Sequence, residues 1–382
     1  MGEKAAKVKK AHQNRPSKLV LTGILLLPAA LLLNWAAGFN PALVEKLYST
    51  GFNRIIVSSL SLATGLFPFS LGEFLALVLI TALLIYMFIK IYHIKKGSVP
   101  RPHLPILGMR MLALVGLVYF LFILLWGLNY QRLAFAELAG LTVRPAEPAE
   151  LSEVCQGLLK RAIELRCSLH QDPRGVMYLQ QGKAGTLERA AAGYEAAASV
   201  YPQLGGRYGR PKGVLLSGYM SYLGISGVYN PLTGEANINM AFPDALVPAT
   251  VCHEMAHQRG FAREDEANYI AYLTCNYNPD REYQYSGTLL ALLHVMTALQ
   301  SSSPEQYTEL EKQVSPEIRA DLSEYYAYWR RHEGRAAQIS SRINDLFLKS
   351  NRQSDGNHSY NRMVALLLAE HRAKRMLPPL AF

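Results

Sequence analysis

Apolar and polar positions are unevenly spread along the chain. Three stretches are almost purely apolar: Leu19 to Phe39, interrupted by Asn34; Leu71 to Ile91, with Glu73 near one end and Lys90 near the other; and Met111 to Leu128, just after Arg110. Each approaches the roughly 20 residues that a helix needs to cross about 30 Å of hydrocarbon. Three such runs so close together are hard to cover with the remaining chain, so they predict a membrane anchor. The first is long for the apolar centre of a signal peptide, and no small-residue cleavage site follows Phe39, so it is read as retained.

Beyond about residue 130 the pattern becomes that of a folded domain in water. PAEPAELSE (145–153) reads as a linker entering a helix. Helical periodicity predicts helices over 151–171, 186–200, 248–259, 263–275, 284–300, 304–312, 316–348 and 357–373. Between them, residues 213–242 carry short β-branched and aromatic runs split by Gly, Asn and Pro, which predicts two to four short strands with tight turns. The expected fold class is α+β, mainly α. It comprises a basic tail at 1–18, three N-terminal transmembrane helices within 19–129 (about 19–39, 71–91 and 111–128), and a domain at 130–382 with a small sheet. The segment 52–69, apolar but punctuated by Ser, Thr, Gly and Pro, is expected to lie along the membrane surface.

Charge gives this layout a direction. Of 382 residues half are hydrophobic and only 18% are charged, yet the net charge is +10. The cations gather at Lys4, Lys7, Lys9, Lys10, Arg15 and Lys18, and again at Lys95, Lys96, Arg101 and Arg110, whereas the loop between the first two runs carries only Lys46 and Arg54. The positive-inside rule places the N-terminus and the 92–110 loop in the cytosol and, after three crossings, the C-terminal domain outside the cytoplasm. Basic runs beside apolar segments, without interleaved aromatics, point to the lipid bilayer as partner and away from nucleic acid. Four cysteines are too few for a disulfide scaffold. Cys155 and Cys167 lie about 18 Å apart if one helix carries both, too far to bond. Cys252 and Cys275 could be bridged across a hairpin, with two buried free thiols as the default.

The chemistry concentrates in CHEMAHQRGFAREDEANYIAYL, residues 252–273. Pro248 suits the first turn of a helix and Gly260 suits its end. His253 and His257, four apart, share one helical face, as two ligands of one ion require. Glu254 follows the first histidine, where an H-E-x-x-H site keeps its general base. A catalytic zinc site needs a third protein ligand and an open position. Glu264, Asp265 and Glu266 open the next helix. Glu264 shares a face with Asn268 and is the favoured ligand, ahead of Glu266, with Asp265 last. Tyr283, Tyr285, Arg281 and His294 are candidate donors to an oxyanion, and the strand around GEANINMA (234–241) is a candidate free edge for an extended peptide.

HEMAH followed by EDEAN resembles the gluzincin metallopeptidases, whose second motif is a Glu with Asp or Asn four residues later. The metzincin pattern H-E-x-x-H-x-x-G-x-x-H fails at its last position, where Arg263 stands in place of His. With EKLYSTGFNRII, LFPFSLGE and GVYNPLTGEANIN, most of the chain is similar to a bacterial membrane family, domain of unknown function 3810. That resemblance implies three membrane helices and a zincin-like domain. Its metal residues would be His253, His257 and Glu264, with Glu254 as catalytic base and Asn268 in the place of the usual orienting Asp.

The expected function is therefore a membrane-anchored zinc (Zn2+) metallopeptidase acting on a peptide or protein substrate at the outer face of the membrane. The alternatives are a sensor or assembly protein that uses the same domain for binding, and a structural membrane protein that holds no metal.

Overall fold

The computed structural model describes residues 16–96, 104–351, 353 and 362–376. Lys4, Lys7, Lys9, Lys10, Arg15 and Arg101 of the two basic clusters lie outside the described residues, as does the start of the helix expected from 357.

The three apolar runs form helices α1 (Lys18–Ala37), α3 (Leu71–Lys95) and α4 (Leu104–Leu125), each long and apolar enough to cross a membrane. The chain is a membrane protein. Ser70 caps α3, accepting from the Glu73 N–H at 3.0 Å. α1 and α4 pack closely through small residues. A Cβ at Gly116 would sit 2.2 Å from the Gly23 carbonyl oxygen, and one at Gly23 would sit 2.8 Å from Ala113 Cβ. Backbones can approach this closely only where side chains are missing or minimal. α3 is unburied along its apolar stretch. The third run was expected to stay helical to Leu128. It ends at Leu125, and Trp126 leads into a buried 3₁₀ turn, Gly127–Gln131.

The connection between α1 and α3 does not simply lie along a membrane surface. A π-helical stretch, Val44–Phe52, runs into α2 (Asn53–Thr64), and α2 docks on the C-terminal domain. Ser58 Oγ donates to the Arg207 carbonyl at 2.6 Å, Thr64 Oγ1 donates to the Thr233 carbonyl at 3.1 Å, and the Gly209 N–H donates to Ser61 Oγ at 3.0 Å. The polar residues that punctuate this apolar segment are the ones that face the domain.

The C-terminal domain contains α5 (Pro148–Arg166), α6 (Gly182–Arg189), α7 (Ala191–Ala197), β1 (Lys212–Val214), β2 (Gly227–Asn230) and β3 (Glu235–Asn239). Then follow α8 (Val247–Gln258), α9 (Glu264–Tyr277), α10 (Arg281–Ser302), α11 (Pro304–Lys312), α12 (Pro316–His332), α13 (Arg335–Ser350) and α14 (Met363–Met376). The architecture is mainly α with one small sheet. α10 runs through the core against α5, α8 and α9, and buries Leu289, Leu292, Val295 and Leu299. The sheet order is β1-β3-β2, with β3 parallel to β1 and antiparallel to β2. The GEANINMA strand β3 is thus central and wholly buried, not a free edge; the edge strands are β1 and β2. Glu235 and Asn239 look like surface residues in the sequence, but both are fully engaged. Glu235 accepts from the backbone of Leu71 and Gly72, while Asn239 Nδ2 donates to Ser221 Oγ and to the Ile225 carbonyl.

Two expected helices are divided. The stretch 186–200 becomes α6 and α7, and 316–348 breaks at Glu333 and Gly334 into α12 and α13. All four cysteines are free thiols; Cys155, Cys252 and Cys275 are buried.

Candidate metal centre

α8 begins with Pro248 in its first turn, and Gly260, with φ +80°, ends it. That left-handed residue costs glycine little and reverses the chain. The Gly260 N–H donates to the His257 carbonyl and the Phe261 N–H donates to the Ala256 carbonyl. The reversal brings the Phe261 carbonyl to 2.7 Å from His257 Nδ1. One turn earlier, His253 Nδ1 lies 2.8 Å from Asn268 Oδ1, on α9. Nδ1 of each ring is thus engaged with an oxygen, which leaves Nε2 as the nitrogen that can face a metal ion.

Both Nε2 atoms turn towards Glu264, the first residue of α9. His253 Nε2 is 3.2 Å from Glu264 Oε2, and His257 Nε2 is 3.6 Å from Glu264 Oε1. One ligand atom from each of the three residues lies within 4.8 Å of the other two. Two imidazole nitrogens and a carboxylate oxygen gathered in this way are a donor set that zinc accepts, and they leave room for one more ligand. Burial alone would push the His257 pKa down, but Glu264 beside it and Glu254 beyond outweigh that and bring it up to about 9. Burial likewise pushes the Glu264 carboxyl up, yet the two histidines hold it well below the usual carboxylate range.

Glu254 adjoins this point. It is buried, Oε2 has no hydrogen-bond partner, and burial raises its pKa against the pull of His253 and His257. Gly227 on β2 makes room for it, since a Cβ there would stand 2.6 Å from Glu254 Oε1. The competing acids point elsewhere. Glu266 Oε1 accepts from the Phe135 N–H at 2.9 Å and from Arg263 at 3.1 Å, and Asp265 pairs with Arg362 at 3.4 Å.

The cluster lies in a cleft of about 1100 Å³, bounded by α4, β2, α8, α10 and α13. Of the four expected oxyanion donors, His294 lines this cleft, and burial depresses its pKa to about 4. Tyr283 and Tyr285 are in the core instead. Tyr283 donates to the Thr186 carbonyl and Tyr285 donates to Asp321 Oδ2 at 2.5 Å. Arg281 is exposed at the start of α10, away from the cleft lining.

A family model described as a protein of unknown function (DUF3810) matches residues 48–368. The chain belongs to this family. The DUF3810 region takes in α3, α4 and the whole cleft, and leaves out α1. No curated protein and no solved structure matches the chain.

Within the DUF3810 region, the motif gives no hint of Trp126 and Tyr130. Trp126 stacks edge-on against His257 with ring centroids 5.6 Å apart, and both aromatics line the cleft. They lie more than 120 residues upstream of the motif, in the turn that leaves α4. Their one sequence cue is their place at the end of an apolar run.

Proposed function

We propose that this protein is a membrane-anchored, zinc-dependent peptidase. The observation that carries the proposal is the convergence of three side chains on one point beside a buried, unpartnered carboxylate. His253, His257 and Glu264 would hold the ion. A bound zinc supplies Lewis acidity towards a carbonyl oxygen and towards water. Glu254 takes a proton from the attacking water on Oε2 and delivers it to the leaving amine nitrogen; its raised pKa suits a group that must both accept and release a proton near neutrality. Asn268 and the Phe261 carbonyl hold the imidazoles in the tautomer that frees Nε2. Among the described groups His294 is the best candidate to donate to the oxyanion. The open edge of β2 runs past Glu254 at Gly227, where an extended peptide can add as a further strand. The charge distribution supports an extracytoplasmic position for the domain.

Metal analysis of the full chain, purified in detergent without chelator, tests this reading. About one zinc per chain is expected, lost in Glu264→Ala and kept in Glu266→Ala, together with zinc-dependent hydrolysis of an unfolded protein such as casein. A zinc content near zero in the wild-type chain would overturn it.

A further inference from the structure

One wall of the cleft has an outer side that peptide hydrolysis does not account for. α13 faces the cleft with Ala337, Ser340, Asn344 and Phe347. On another face it carries Ile339, Ile343 and Leu346, which are 57%, 62% and 67% exposed. Spacings of four and three place them on one stripe. Arg335, Arg342 and Lys349, seven residues apart, run beside that stripe and are exposed as well. An apolar stripe flanked by cations is the pattern of a helix lying in a lipid interface.

The two ends of α13 fix where it lies. Near its C-terminus, Phe347 packs edge-on against Phe122 in the last turn of α4, with ring centroids 5.8 Å apart. Its N-terminus follows His332, whose ring meets Tyr222 at 4.9 Å. Tyr222 closes a short helix, Ser217–Tyr222. The residues entering that helix, Leu215 and Leu216, donate their N–H groups to Glu73 at 2.9 and 2.8 Å. Glu73 belongs to the first turn of α3. The helix thus extends from the neighbourhood of the head of α3 to the tail of α4. Leu215 and Tyr219 prolong the apolar surface towards α3, at 79% and 72% exposure.

We infer that the outer stripe of α13, together with Leu215 and Tyr219, is seated in the lipid interface, with the three cations at the level of the headgroup phosphates. Lipid is the occupant because α13 adjoins the last turn of the membrane helix α4 through Phe347 and Phe122, and because cations run beside its exposed apolar stripe. The cleft under α13, lined by Phe122 of α4, then lies at headgroup depth. Resting on the peptidase reading, the substrate class that follows is a polypeptide segment close to its own membrane helix or lipid anchor.

Spin labels on the full chain test this. In a Cys167→Ser background, which removes the exposed thiol, labels go at Ile343→Cys, Tyr219→Cys and, as control, Lys160→Cys on the outer face of α5. The protein is placed in phosphatidylethanolamine and phosphatidylglycerol vesicles, and collisions with oxygen and with a nickel chelate are compared. Oxygen is expected to dominate at 343 and 219, and the chelate at 160. Labels at 343 and 219 as open to the chelate as the one at 160 would overturn the inference. So would immobile labels shielded from both reagents, which would mean that protein covers the stripe. No turnover is read, so a chain that proves not to be a peptidase leaves this result intact, and a wet stripe leaves the metal centre intact.

Discussion

Two buried charged clusters, one in the cleft and one where the domain meets the membrane helices, differ in how completely their atoms are used. At the junction, Lys212 Nζ donates to the Thr64 and Phe69 carbonyls and to Glu235 Oε1, while Glu235 accepts from the Leu71 and Gly72 N–H groups. Nearby, Arg132 meets both carboxylate oxygens of Glu45 at 2.8 Å and donates to the Arg259 carbonyl. In the cleft, by contrast, both Nε2 atoms and Glu264 face a common point with only one another as partners, and Glu254 Oε2 has none. Burying a charge is costly unless hydrogen bonds satisfy it. The saturated cluster spends its charges on joining two parts of the molecule. The other leaves Glu254 Oε2 unpartnered beside the point where we propose a metal ion.

The sharpest break between the two comes from Glu254→Gln, which removes a proton acceptor and little volume. Hydrolysis is expected to fall about 10²- to 10⁴-fold, the usual weight of a general base, while zinc content and thermal stability hold. Lys212→Met should do the reverse. It leaves Glu235 buried without its cation, which costs about 3–5 kcal/mol. A lowered melting temperature in detergent, with zinc content per folded chain unchanged, is the result to look for; Lys212→Met/Glu235→Gln should recover part of the loss. Asn268→Ala probes the rim of the cleft cluster. Loss of the oxygen that orients His253 should weaken zinc affinity by about 10- to 100-fold in a competition titration, with little change in melting temperature.

The smallest effect belongs to a half-buried pair. Arg372, on α14, bonds Glu150 at the start of α5 and holds its carboxyl down to about 2. A depressed carboxylate stabilises the fold fully above its ordinary value near 4.5, and this contribution is lost as pH falls through about 2. Amide exchange in α14 should therefore quicken over that window, and less so in Glu150→Gln.

Much of this was legible in the sequence, and what was not has physical causes. Apolar runs of membrane length declare themselves by composition, so α1 and α3 were foreseen to within a few residues, whereas α4 starts seven residues before the expected Met111 and ends where Trp126 turns the chain. The pairing of His253 with His257, and of Glu264 with Asn268, follows from helical spacing. The convergence of Glu264 on the histidines depends on the angle between α8 and α9, which Gly260 only hints at. The division of 316–348 was missed because Gly334 sits within an otherwise helical pattern. Beyond it the apolar residues Ile339, Ile343 and Leu346 serve an outer surface and not the core. β3 was misplaced at an edge because Glu235 and Asn239 look solvent-bound; tertiary partners more than 100 residues away in the chain, at Leu71 and Gly72, are what bury Glu235.

The domain is fastened to its anchor at several points, among them Glu235 at the head of α3 and the Arg132–Glu45 pair beyond the tail of α4. A globule on a single tether can swing and reach at many heights, whereas one bolted to separate posts cannot. The chamber is therefore held at one height relative to the membrane helices. If the protein is the peptidase proposed above, a chain threading into it must offer a bond at that height, which would make distance from the membrane, as much as the identity of neighbouring side chains, a criterion of selection.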